Sequence, residues 1–140
     1  MRSVTLESTD DTPTVSAQLF RRLLEFSEAE IGPRNTREFA LTVRADDGQI
    51  LGGLTGELIW NALYVGVLWV SESSRGQGYG SALMRTAEDM ARTRGCEVSF
   101  LSTMTFQAPN FYKKLGYLPI GELLDSPKGF SRVWFAKRLD

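Results

Sequence analysis

The segment from residue 73 to residue 84 reads SSRGQGYGSALM and has glycines at alternate positions, at 76, 78 and 80. The apolar spacing that follows is typical of an amphipathic helix. A helix start presents backbone N–H groups that have no intrahelical partner, together with the positive end of the helix dipole. Glycines let such a backbone approach a phosphate closely, because no Cβ atom stands in the way. The segment therefore predicts a loop that binds a phosphate or pyrophosphate.

Two other phosphate-binding loops fit this segment poorly. A Walker loop needs Lys followed by Ser or Thr after its last glycine, whereas Ser81 and Ala82 follow Gly80. A dinucleotide fingerprint has the spacing G-x-G-x-x-G, whereas the glycines here run G-x-G-x-G. On these residues alone, a flexible turn between a strand and a helix remains an alternative to a phosphate site.

The composition limits what the protein can be. Its 140 residues predict a single domain over 1–140. Sixteen basic and seventeen acidic residues give a net charge of −1, so no basic field predicts a nucleic-acid partner. No apolar run is long enough for a membrane span. The single cysteine, Cys96, cannot form an internal disulfide, which favours the cytoplasm.

Histidine is absent from the sequence. The chain therefore has no side chain that normally titrates near neutral pH, no imidazole metal ligand and no Ser-His or Cys-His pair. We expect no metal site. Any proton transfer must use another group.

The pattern of apolar residues predicts the elements that position the glycine loop. Helices are predicted over 16–31, directly after the loop, and over 108–116. The predicted strands cover 3–7, 38–44, 49–58, 62–70, 98–103, 117–124 and 131–139. This order predicts an α/β fold with a mixed sheet.

Two details of these elements can be tested against the structure. The strand over 62–70 is almost entirely apolar, so we expect it to be buried on both faces. In the helix after the loop, Arg85 with Asp89 and Glu88 with Arg92 have i,i+4 spacing. We expect both pairs on the solvent side of that helix.

The segment from Arg75 to Gly80 resembles the Q/R-x-x-G-x-G/A pyrophosphate loop of the GNAT superfamily, the acyl-CoA-dependent N-acyltransferases. The resemblance extends to LWV (68–70) before the loop and to APNFYKKLGY (108–117) after it. It implies an α/β fold with a mixed, mostly antiparallel, seven-stranded sheet flanked by helices and splayed between its fourth and fifth strands. It also implies acetyl-CoA as the acyl-donor cosubstrate.

The resemblance also implies roles for individual residues. The main chain of Leu68, Trp69 and Val70 would pair with the pantetheine arm, and one of their N–H groups would polarise the thioester carbonyl. Tyr112 would protonate the leaving thiolate, and Asn110 on the same helix would hydrogen-bond the arm. The pyrophosphate would lie on the glycine loop, at Arg75, Gly76, Gln77, Gly78, Tyr79, Gly80 and Ser81.

The general base stays open at this point. A primary ammonium with a pKa of about 10.4 must lose its proton before it attacks. Many members of the superfamily carry an acidic residue two positions before the segment that LWV matches, and this chain has Gly66 there. Glu57 and Glu72 are the remaining carboxylate candidates. A water relay to a backbone carbonyl is the alternative to both.

The leading hypothesis is an N-acetyltransferase that moves an acetyl group from acetyl-CoA to a primary amine by direct transfer. A small-molecule acceptor is favoured over a peptide or protein. The alternative is an acyl-CoA-binding sensor or partner domain without turnover. A phosphate-binding domain for free nucleotides is disfavoured because the loop has no Lys-Ser/Thr. The sequence is compatible with a homodimer.

Overall fold

Helix α1 spans Thr12–Ile31 in a computed structural model that describes residues 2–140. The structure divides into two compact units, with the boundary after Arg34, and α1 belongs to the first. At its start, the Asp11 side chain accepts a hydrogen bond from the backbone N–H of Thr14 at 3.4 Å, and a proline lies in the first turn. α1 begins four residues before the predicted 16–31 because Asp11 and Pro13 together supply an earlier start signal.

The prediction of a strand over 3–7 is wrong. Residues 3–7 are not part of a strand, so the sheet has six strands rather than seven. Val4 and Leu6 are 90% and 98% exposed. Alternation of apolar and polar residues over so short a segment supplies no hydrogen-bonded neighbour, and without one a strand does not form.

The second unit contains the whole sheet, in the order β1-β2-β3-β4-β6-β5. Only β3 and β4 pair in parallel, and all other neighbours are antiparallel. The predicted α/β fold with a mixed, mostly antiparallel sheet is confirmed. The strands are β1 (Arg37–Arg44), β2 (Ile50–Ile59), β3 (Ala62–Val70), β4 (Val98–Met104), β5 (Leu118–Leu123) and β6 (Arg132–Arg138).

This unit also contains two helices, which follow β3 and β4 in the chain. α2 covers Tyr79–Thr93 and follows β3 through a short 3-10 turn, and α3 covers Pro109–Lys114 after β4. The buried face of α2 packs into one core with the inward side chains of the strands. That core contains Leu54, Leu58, Leu63, Val65, Leu83, Met84, Ala87, Ala91, Cys96, Leu101, Tyr112, Tyr117, Phe135 and Leu139.

The two parallel strands are splayed. β3 pairs with β4 only from Ala62 to Tyr64, and beyond that point the strands diverge. This confirms the predicted splay between the fourth and fifth predicted strands, which are β3 and β4. The expectation that β3 is buried on both faces is wrong, since Val67 and Trp69 are 57% and 50% exposed. Its second half borders an open cleft where a neighbouring strand would otherwise lie.

The position of Glu88 also differs from the expectation. Its side chain is 3% exposed and accepts hydrogen bonds from Lys137 Nζ at 2.8 Å and from Tyr117 Oη at 2.9 Å. Arg92 keeps a longer ion pair with Glu88 at 3.8 Å but also pairs with Asp89 at 2.9 Å. Glu88 is therefore not on the solvent side of α2. A buried carboxylate is tolerated there because cationic and hydroxyl donors satisfy it.

Candidate active site

The diverging ends of β3 and β4 enclose a cleft of about 940 Å³. Its walls are residues 65–70 of β3 and residues 101–103 of β4, and its ends are the glycine loop and α3. The cleft brings together most of the residues that the sequence predicted for cofactor binding. Those that line it are Leu68, Trp69, Val70, Arg75, Gly76, Gly78, Tyr79, Gly80 and Ser81, together with Tyr112.

One wall of the cleft is a free strand edge. Along residues 65–70, β3 pairs with β2, in register at Leu68 with Leu54 and at Trp69 with Gly53. Its other edge has no strand partner beyond Tyr64. Backbone N–H and C=O groups on that edge can therefore pair with an extended ligand, as an added strand would. This is the edge along which the family resemblance predicts the pantetheine arm of coenzyme A.

The start of α2 forms one end of the cleft. Its N-cap residue is Gly78, at φ 82°. No side chain caps the helix, and its first turn contains no acidic residue. The first N–H groups of the helix, on Tyr79, Gly80 and Ser81, therefore remain available to a ligand. Together with the helix dipole they favour an anion such as a pyrophosphate.

The loop before α2 is held in place by its own side chains. Arg75 Nε donates to the backbone oxygen of Val70 at 3.2 Å, and Ser71 Oγ donates to Ser74 Oγ at 2.8 Å. Ser74 is buried and lines the cleft, although the sequence reasoning did not select it. These bonds tie the loop to the end of β3.

Gly80 allows α2 and α3 to approach each other. A Cβ atom at Gly80 would lie 3.2 Å from Cζ of Phe111, which is tighter than ordinary van der Waals contact. Phe111 in turn packs edge-on against Tyr112, with ring centroids 5.2 Å apart. A side chain at position 80 would therefore push on the helix that carries the predicted acid.

Tyr112 lines the cleft from α3 and is 7% exposed. Its ring packs against Phe111, Tyr117 and Phe135. Among residues 2–140 its hydroxyl has no hydrogen-bond partner, and no fully buried side-chain oxygen there lacks one, so this hydroxyl keeps some exposure to solvent. Burial raises the pKa of the Tyr112 phenol above its ordinary value of about 10, so it carries its proton at neutral pH. It can therefore donate a hydrogen bond to a ligand.

Tyr117 is the opposite case. Its hydroxyl donates to Glu88 Oε2 at 2.9 Å and lies 2.7 Å from Ser99 Oγ, so both its donor and its acceptor capacity are used. Burial, followed by the nearby Glu88, raises the pKa of Tyr117. The rings of the two buried tyrosines have centroids 6.1 Å apart. Of the two, only Tyr112 has a hydroxyl that can hydrogen-bond a ligand.

The other end of the cleft depends on residues that sequence reasoning missed. Gln107 Oε1 accepts a hydrogen bond from the backbone N–H of Met104 at 2.8 Å and from Thr103 Oγ1 at 3.3 Å. This closes the turn that leads from β4 to α3. The sequence offered one signal for this role. Gln107 is a polar residue between the end of β4 and Pro109, where a side chain can cap the strand end.

Four predicted site residues do not line the cleft. Gln77, in the glycine loop, and Asn110, at the start of α3, are exposed. Both are sequence neighbours of residues that line the cleft. Glu72 is exposed in the 3-10 turn after β3. Glu57 is half-buried on β2, opposite Tyr64 of β3. Neither carboxylate borders the space in which the predicted reaction would take place.

Among residues 2–140, no group of three or more His, Cys, Asp or Glu side chains could hold a metal ion. Cys96 is buried in the core, and that burial raises the pKa of its thiol. No helix of residues 2–140 is long and apolar enough to cross a bilayer.

The fold and the cleft are those expected of an acyl-CoA-dependent acyltransferase, and comparison with known proteins shows that class. The chain belongs to the acetyltransferase (GNAT) family, whose model matches residues 4–117. It is an enzyme of this family, and acetyl-CoA is its acyl donor.

Several proteins are similar to this chain over most of its length. An acetyltransferase of Agrobacterium fabrum is 37% identical over 83% of this chain and 85% of its own. The blasticidin-S acetyltransferase of Streptomyces morookaense is 38% identical over 72% of this chain and 75% of its own. The crystal structure of an acetyltransferase from Bacillus cereus superposes with a TM-score of 0.88 at 33% identity, covering 96% of this chain and 97% of that one.

Proposed function

We propose that this protein transfers the acetyl group of acetyl-CoA directly to the primary amine of a small molecule. The observation that carries the proposal is that one cleft joins an uncapped helix start, a free strand edge and the unpaired hydroxyl of Tyr112. The similarity to an enzyme named for blasticidin S supports a small-molecule acceptor over a protein. We further propose that the chain acts as a single domain over 1–140 in the cytoplasm.

The proposed reaction has four parts. The acceptor nitrogen attacks the thioester carbonyl, while a backbone N–H of the segment Leu68–Val70 stabilises the developing oxyanion. A C–N bond forms and the C–S bond breaks. Tyr112 gives its proton to the departing sulfur and is reprotonated from solvent, which also takes up the proton that the amine loses. Because the chain has no histidine to activate a cleft hydroxyl, a direct transfer is favoured over an acyl-enzyme.

The proposed base is a water relay to a backbone carbonyl rather than a side chain. Neither Glu57 nor Glu72 lines the cleft, and a general base must be within hydrogen-bond reach of the proton, directly or through one water. The free edge of β3 supplies carbonyl groups that can accept from such a water.

Replacing Glu57 or Glu72 with Gln should therefore leave the acidic limb of the kcat/KM profile in place. That limb should follow the pKa of the acceptor amine and move to lower pH when a less basic amine is supplied. The measurement is the pH dependence of kcat/KM with two amines of different basicity. A loss of about 10²-fold or more in one Gln variant, with the fold intact, would instead identify that carboxylate as the base.

A thiol-release screen tests the proposed function. Acetyl-CoA would be mixed with the protein and with polyamines, amino acids, aminoglycosides, nucleoside antibiotics or peptide N-termini, and free thiol would be recorded. We expect amine-dependent thiol release, matched by an equal amount of N-acetylated product, with at least one small amine. Tight acetyl-CoA binding without transfer to any amine would favour a sensor domain. Peptides as the only acceptors would overturn the small-molecule assignment.

The glycine loop gives a further prediction. Gly78 is at φ 82°, and nothing in the protein lies within 4 Å of a Cβ placed there, so a side chain would enter the space left for the pyrophosphate. We expect Gly78→Val to raise the Kd for coenzyme A more than tenfold, measured by calorimetry.

The matched control for that variant is Gly48→Val. Gly48 lies in the β1–β2 turn at φ 89°, again with nothing within 4 Å. It therefore imposes similar backbone strain without touching the cleft. Coenzyme affinity that is equal in the two variants would remove the loop from the binding site.

A further inference from the structure

Arg132 lies at the start of β6, and its side chain is on the sheet face opposite α2. Phe135 is in the core and Val133 packs against it, so Arg132 and Trp134 point to the other face. Ser102 of β4 is in register with Trp134 and lies between the buried residues Leu101 and Thr103. Ser102 therefore shares this outer face, and it also lines the cleft.

The Arg132 guanidinium is held in a fixed orientation. Its Nη1 donates to Ser102 Oγ at 2.8 Å, and its central carbon lies 5.8 Å from the ring centroid of Trp134. The serine bond uses only one of the five guanidinium N–H groups. Ser102 and Trp134 thus orient the guanidinium, which keeps N–H donors for a further partner. The guanidinium is hydrogen-bonded directly to Ser102, a residue of the cleft wall.

Among residues 2–140, no carboxylate forms an ion pair with Arg132. Arg92 and Lys137, by contrast, each pair with a carboxylate of α2. Arg132 is half-buried. A partly desolvated cation without a counter-charge favours an anion, and the planar fork of arginine matches the two oxygens of a carboxylate or phosphate.

The surroundings of Arg132 are tied to the cleft. The residue before it, Ser131, exchanges hydrogen bonds with Thr105 at 2.9 and 3.0 Å, which fixes the start of β6 to the turn after β4. Phe106, which lines the cleft, packs edge-on against Phe130 with centroids 5.0 Å apart. The cation therefore lies in an aromatic setting that is anchored to one wall of the cleft.

Two molecules in the proposed reaction could present an anion to Arg132, namely the coenzyme through its phosphates and the acceptor. The predicted anion site for the coenzyme is the start of α2, and α2 packs on the inner face of the sheet. Arg132 and Ser102 are on the outer face. We propose that Arg132, oriented by Ser102 and Trp134, binds a carboxylate of the acceptor, so that the substrates are amines that also carry a carboxylate. This rests on the proposed function and specifies its acceptor class.

Paired acceptors test this assignment. Each ω-amino acid from β-alanine to aminohexanoate would be compared with its own primary amide, in which a neutral group of similar size replaces the carboxylate, and kcat/KM would be corrected for the fraction of unprotonated amine in each. We expect the preferred acid to exceed its amide at least tenfold in kcat/KM, which is the scale of a hydrogen-bonded charge. In Arg132→Met this ratio should collapse towards one through a rise in KM for the acid. In Arg132→Lys it should be intermediate, since the charge remains and the fork is lost.

The controls separate this proposal from others. Arg138→Met, which removes an exposed arginine from the same strand, should keep the preference for acids. If Arg132→Met instead weakens acetyl-CoA binding about tenfold, the guanidinium serves the coenzyme and the proposal is wrong. If amines are acetylated but acids and amides are used equally by the parent, the Arg132 proposal fails while the proposed function stands. If no amine of any class is acetylated, both fail.

Discussion

Replacing Tyr112 with Phe is expected to lower kcat by about 10²–10⁴-fold, the usual contribution of a general acid. The substitution keeps the ring and its contacts with Phe111, Tyr117 and Phe135. It removes only a hydroxyl that has no partner among residues 2–140, so the free energy of unfolding should hardly change. Coenzyme affinity should also stay close to that of the parent. Steady-state kinetics with calorimetry on the same samples measures all three quantities.

Tyr117→Phe is the matched control for that experiment. It removes a buried hydroxyl from a neighbouring ring, but one that hydrogen-bonds Glu88 and Ser99. We expect it to lower the free energy of unfolding by about 1–3 kcal/mol, because a buried carboxylate loses a donor. Its effect on kcat should be much smaller than that of Tyr112→Phe. If Tyr112→Phe is as active as the parent, water or another group protonates the sulfur.

Replacing Glu88 with Ala is expected to produce the largest loss of stability. Its carboxylate binds Lys137 and Tyr117, which join α2 to β6 and to the chain after α3. Removing it leaves a half-buried ammonium and a buried phenol without their acceptor. Loss of one partner from a buried ion pair costs about 3–5 kcal/mol, and we expect about 3 because the Lys137 side chain is still 23% exposed. Urea unfolding followed by tryptophan fluorescence gives the value.

Two variants check the cause of that loss. Asp89→Ala breaks an ion pair on the exposed side of the same helix, where Asp89 is 75% exposed, and should cost less than about 1 kcal/mol. Glu88→Met combined with Lys137→Met should recover part of the loss, since apolar replacement of a whole buried pair is better tolerated than removal of one partner. Equal losses for Glu88→Ala and Asp89→Ala would show that the buried network contributes no more than a surface pair.

Local signals explain what could be predicted from the sequence. The glycine spacing, the prolines and the apolar runs act over a few residues, and they placed the loop before α2, the start of α3 and the strand β3 close to where the structure has them. The divergence of β3 from β4 came from the family resemblance rather than from any local pattern.

Long-range contacts explain what could not be predicted. Glu88 was expected on the solvent side because i,i+4 spacing is a local rule, whereas its partners Tyr117 and Lys137 are 29 and 49 residues away. The bond between Arg132 and Ser102 spans 30 residues and has no sequence motif. At residues 3–7 a local pattern was present but the long-range partner was missing. Apolar and polar residues alternate there, but no neighbouring strand pairs with them, so no strand forms.

We propose that the cleft between β3 and β4 holds the coenzyme through backbone N–H groups of the strand edge and of the start of α2. Amide chemical shifts of nitrogen-15-labelled protein, recorded while coenzyme A is added, test this most directly. We predict saturable shifts for the amides of Leu68, Trp69, Val70, Tyr79, Gly80 and Ser81, with those of β1 and β5 unchanged. Saturable shifts confined to other parts of the sheet, with the loop and β3 amides unmoved, would contradict it.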